Sequence, residues 1–74
     1  MPLIEVKAIK DVFSADEKSK IIEETTDIFR RMRGDEFADG TWVVIQELED
    51  GNWGEGGAVL TKEFVPNLKN TGTD

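Results

Sequence analysis

Thr41-Trp42-Val43-Val44-Ile45-Gln46-Glu47-Leu48 is rich in the β-branched and aromatic residues that fit a pleated strand. Its centre, Trp42 to Ile45, is apolar on both faces, the mark of an interior strand covered on both sides. Before it, a polar, turn-like stretch runs from Asp35 to Gly40, broken by Phe37. Before that, the spacing predicts a long helix from about Ala15 to Arg33, ~28 Å at 1.5 Å per residue. Ser14 and Glu17 have the spacing of a capping box, and Asp16 adds negative charge at the positive end of the helix dipole. Ile21, Ile22, Thr25, Ile28, Phe29 and Met32 recur at helical spacing as one apolar stripe. Arg30, Arg31 and Arg33 fall in the last turn, where they suit the dipole, and Gly34 is the expected stop.

Earlier still, Pro2 to Lys10 reads as a first strand. Pro2, Ile4, Val6 and Ala8 share one apolar face, and Leu3, Glu5, Lys7 and Ile9 the other, mixed one. Strand, helix and strand in this order predict a β-α-β unit with parallel strands and a right-handed crossover. One helix covers one face of such a sheet, so the other face calls for cover from another chain. Downstream, Glu49-Asp50-Gly51-Asn52 carries an Asp-Gly turn signal. Trp53 to Gly57 and the apolar Ala58-Val59-Leu60 then read as a small hairpin, or as a hooked arm reaching a neighbour. Lys62 to Val65 extends this piece, and 66–74 reads as a flexible tail after one domain over 1–65.

Composition narrows the function classes. Seventy-four residues make a thin core. The chain has neither cysteine nor histidine, which removes disulfides, thiolate metal sites and the commonest neutral-pH base. Oligomerisation is the remaining way to stabilise so small a domain, and no cofactor or metal is called for. A net charge of −7 argues against nucleic acid and anionic membrane surfaces. There is no long apolar run and no secretory pattern at the N-terminus, so a soluble cytoplasmic protein is expected.

Pro2 opening a strand, the capped helix, the apolar second strand and Gly51-Asn52-Trp53-Gly54-Glu55-Gly56-Gly57 together resemble the 4-oxalocrotonate tautomerase family of the tautomerase superfamily. The resemblance runs from Pro2 to about Leu60. It implies an α/β (α+β) protomer with one long helix and a small C-terminal hairpin, assembled into hexamers of one chain or of two related chains. It also implies that Pro2, exposed by removal of Met1, is a general base or acid. The proton it moves would pass between carbon and oxygen of a small 2-oxo or enol acid, and relatives use the same proline for dehalogenation and decarboxylation. Trp53 takes the place of the pocket aromatic. Two arginines that hold substrate carboxylates in the family fall here near Val12 and at Trp42, leaving Lys10 as the nearest cation.

Physical chemistry gives each of these residues a second reading. A free α-amine titrates near about 7.7–8.0, and desolvation lowers that value towards a neutral-pH base. A proline at position two is also a tolerated start to an edge strand. Trp53 suits stacking on a planar unsaturated acid, or plugging a subunit contact. Trp42 suits a pocket wall or the core; its single N–H does not reproduce the two-pronged grip of a guanidinium on a carboxylate. Lys10 steers an anionic substrate or is a solvated strand end. Glu47, Glu49, Asp50 and Glu55 fit no metal loop spacing and read as an acidic rim. The glycines of 51–57 lack the helix and Lys-Ser/Thr of a phosphate loop. Three function classes therefore stay open: a tautomerase-type enzyme, a non-catalytic binding or structural module, and one subunit of a hetero-hexamer.

Overall fold

The structure, a computed structural model, describes residues 2–63. The tail expected over 66–74, and the continuation as far as Val65, lie outside the described residues. The elements run β1 (Leu3–Ile9), α1 (Ala15–Arg33), α2 (Asp35–Asp39), β2 (Trp42–Leu48), β3 (Trp53–Glu55) and β4 (Ala58–Leu60). β1 pairs with β2 in a parallel sheet, and β3 with β4 in an antiparallel hairpin. The β-α-β expectation and the C-terminal hairpin are both present.

Contacts sort the chain into two units. The first comprises the residues up to Val6 together with Phe13–Gln46. Here Trp42 N–H donates to the Pro2 carbonyl at 3.0 Å, which ties the start of β2 to the start of β1. α1 opens on the expected capping box: Ser14 Oγ accepts from Glu17 N–H at 3.2 Å, and Glu17 Oε1 accepts from Ser14 N–H at 2.9 Å. Two of the helix's orphan donors are thereby satisfied. At the other end Gly34 N–H donates to the Arg30 carbonyl at 2.8 Å, with φ at +93°, a conformation that disfavours any side chain.

The chain then differs from the sequence reading. The polar, turn-like stretch is a short helix, α2, because Phe37 and Ala38 give it something to bury. Ala38 is only 2% exposed. The Phe37 ring lies 6.4 Å from that of Phe29 and carries the Arg33 guanidinium 4.9 Å above its centroid.

The alternating strand pattern holds on the sheet. Ile4 and Val6 in β1, and Val43 and Ile45 in β2, are half-buried, while Leu3, Trp42 and Val44 point outward and are exposed. Among the described residues, the expected two-sided cover of β2 is therefore missing. The apolar stripe of α1 is also only partly covered: no residue of the helix is fully buried, and Ile22, Ile28 and Met32 are exposed.

The second unit comprises Lys7–Val12 and the described residues from Glu47 onward. Ala8 and Ile9 are buried at the end of β1, and Lys10 N–H donates to the Leu48 carbonyl at 2.7 Å. Asp11 follows at φ +68°, a left-handed position that a short polar residue tolerates. The β3–β4 register, Trp53 opposite Leu60 and Glu55 opposite Ala58, leaves a two-residue turn. Gly56 and Gly57 fill it with φ of +59° and +89°, as a type I′ turn requires.

The cap generates a direct stability test. Ser14→Ala removes the acceptor for Glu17 N–H and is expected to cost about 1 kcal/mol. In urea unfolding at fixed protein concentration the midpoint falls while the slope is kept. An unchanged midpoint would show that the cap contributes nothing.

Candidate functional site

In the first unit, a strand-to-strand hydrogen bond positions the residue singled out as a base. Because its carbonyl accepts from Trp42 N–H, Pro2 is held at the head of β1 and is half-buried there. Pro2 and Trp42 are thus joined through main chain. The Trp42 side chain is 64% exposed, on the same outward side as Leu3 and Val44. A pocket wall or a subunit contact fits this exposure, and a core residue does not.

Of the helix-end arginines, Arg30 is held by Asp27 and, at 3.0 Å, by Asp35. Arg33 is stacked on Phe37. Arg31 lines an open groove of about 570 Å³ along α1, shared with Phe13, Lys20, Ile21 and Ile28.

In the second unit the candidate cation is already engaged. Lys10 Nζ lies 3.4 Å from Glu49 Oε1, with the lysine 52% and the glutamate 70% exposed. The Glu49 hydrogen bond and charge, with smaller help from Asp11 and Glu47, hold the Lys10 ammonium above its ordinary value. A small cavity of about 120 Å³ is lined by Lys10, Asp11, Glu49, Asp50 and Lys62. Asp50 Oδ1 accepts from Lys62 N–H at 2.9 Å, and Glu47 Oε2 from Asp11 N–H at 3.2 Å. These carboxylates thus fix loops, and among the described residues no cluster of three or more His, Cys, Asp or Glu is arranged to hold a metal. Trp53, half-buried, opens β3 opposite Leu60. The glycines that follow it make the hairpin turn and lead into β4 rather than a helix.

Sequence reasoning treated Glu49 as one of several rim acids and missed its pairing. The signal was available. Lys10 and Glu49 each come one residue after a strand, and parallel pairing sets two strand ends side by side.

A family profile described as "Tautomerase enzyme" matches residues 2–63. The curated protein "Probable tautomerase K2" of Dickeya dadantii (strain 3937) is 34% identical over 62 residues, 84% of this chain and 91% of its own length. Among solved structures, DmpI from Helicobacter pylori superposes with a TM-score of 0.67 at 23% identity, covering 78% of this chain and 94% of that one. A 4-oxalocrotonate tautomerase homologue gives 0.69 at 20% identity, covering 80% and 90%. At these identities the two structures speak for the fold. No helix of the described residues is long and apolar enough to cross a membrane.

The Lys10–Glu49 contact makes its own prediction. Because the ammonium is favoured by its partner, Glu49→Gln should bring the Lys10 titration back down towards the ordinary lysine value, as followed by side-chain NMR. The interaction is fully present below that ordinary value and is lost as pH rises through the raised one. An unmoved titration would mean that the contact is not made in solution.

Proposed function

Because this chain belongs to the tautomerase enzyme family, with a match that starts at Pro2, we propose that it is an isomerase of the tautomerase type working through the Pro2 nitrogen. Removal of Met1 turns that nitrogen from a tertiary amide with no basicity into a secondary amine. The single observation that carries the reading is the coincidence of this proline with the start of the family match, at the head of a paired strand. In the keto-to-enol direction the amine lone pair takes a proton from the carbon next to a carbonyl. The electrons of the broken C–H bond form the C=C bond, and the carbonyl pair moves to oxygen. The resulting ammonium returns the proton to that oxygen, or to a more distant carbon of a conjugated acid. No oxidant, reductant or cofactor enters this balance.

The substrate class is a small 2-oxo or enol carboxylic acid. Trp53 packs on its flat chain, Trp42 walls the pocket, and Lys10 or a cation from a neighbouring subunit receives a carboxylate. Assembly supports the reading: the uncovered Leu3, Trp42 and Val44 call for a second copy against the sheet, and a homo-hexamer of single-domain protomers over 1–65 is the arrangement proposed. The acidic chain works in the cytoplasm and not on nucleic acid or a membrane. Two observations favour a second reading, a hetero-hexamer in which a related chain supplies cations. Trp42 stands where the resemblance places an arginine, and Lys10 is already paired.

With Met1 shown by intact mass to be absent, wild-type protein is expected to ketonise simple enol acids. Pro2→Ala should lower kcat/KM by about 10²–10⁴-fold, the span of a positioned base. Protein that retains Met1 should be as inactive as the variant. Equal rates for the wild type and Pro2→Ala would refute the assignment.

A further inference from the structure

Glu49 differs from the other acids around Lys10 in what it does. Asp50 and Glu47 accept main-chain N–H groups and so hold loops, whereas the Glu49 carboxylate lies against the Lys10 ammonium at 3.4 Å. The cavity beside them, about 120 Å³, is the size of roughly four waters. The residues that line it, Lys10, Lys62, Asp11, Glu49 and Asp50, carry a formal net charge of −1. A cation able to bind a carboxylate is thus already occupied by one, inside a field that repels a second.

We propose that Glu49 is a specificity-determining residue, standing in the place of a ligand carboxylate on Lys10 so that dianionic acids are disfavoured against monoanionic ones. The inference deepens the function proposed above and takes from it only that small carboxylic acids are the ligand class. An incoming carboxylate must compete with Glu49 for Lys10 and lie beside its negative charge. That repulsion grows with the charge of the ligand, so a dicarboxylate is penalised more than a monocarboxylate. The raised titration of Lys10 agrees with an ammonium whose partner is in place at neutral pH. Both partners are more than half exposed, so the effect is modest and screened by salt.

The test is a binding titration of the full chain at fixed, low ionic strength. Acetate and succinate serve as mono- and dianionic probes, followed by the backbone amide signals of Lys10, Asp11 and Asp50. In Glu49→Gln the preference for succinate over acetate is expected to rise about two- to fivefold over wild type, the range of one exposed ion pair. Glu49→Ala, which also removes the side-chain bulk, should give the same rise. In Lys10→Met/Glu49→Gln the gain should vanish. An unchanged succinate-to-acetate ratio in both single variants, or a gain that survives loss of Lys10, overturns the proposal. The catalytic reading fails separately: binding shifts as expected, while Pro2→Ala turns over enol acids as fast as wild type.

Discussion

Parallel strands cannot be joined by a tight turn, and this constraint accounts for most of the chain. β1 and β2 need a crossover of a dozen or more residues, and α1 supplies it. The ladder that results has a hydrogen bond near each end: Trp42 N–H to the Pro2 carbonyl, and Lys10 N–H to the Leu48 carbonyl. The first fixes the proline at the head of the sheet. The second sets the residues after each strand side by side, which is how a lysine and a glutamate 39 positions apart come into contact. The anchoring of Pro2 and the Lys10–Glu49 contact both follow from the pairing. Without it, neither Pro2 nor Lys10 has a defined neighbour.

The two-sided apolar character of Trp42 to Ile45 has a different consequence. Val43 and Ile45 are half-buried within the chain, while Trp42 and Val44 are left to solvent, together with Leu3. A strand written for cover on both faces but covered on one is a physical argument for association, independent of any relative. A short chain without disulfides has few other ways to gain buried area. The same logic extends to Ile22, Ile28 and Met32, whose place on the helical stripe is more apolar than their exposure in one protomer.

Much of this was legible in the residues because local signals agreed with the tertiary result. Ser14 with Glu17, Gly34, the alternation in β1 and the Gly56-Gly57 turn each specify their own geometry within a few residues. What stayed hidden depended on distant partners. α2 looked like a turn because the stretch from Asp35 to Gly40 has only one large apolar residue. Its helix is held by Phe37 packing on Phe29 and by Ala38 being buried, neither of which a local window shows. The candidate residues Pro2, Trp53, Trp42 and Lys10 could be read from the sequence as a list, but not as an arrangement. Glu49 in particular reads as one acid among many until the strand ends are brought together.

Catalysis through Pro2 depends on the state of one nitrogen. The most direct measurement is an NMR titration of protein carrying ¹⁵N-labelled proline, on a sample whose intact mass lacks Met1. The Pro2 nitrogen is expected to titrate as an amine with a midpoint below the ordinary α-amine range of about 7.7–8.0, coinciding with the rise in activity. A Pro2 nitrogen that behaves as an amide in active protein, or an amine whose titration leaves the activity profile untouched, would contradict it.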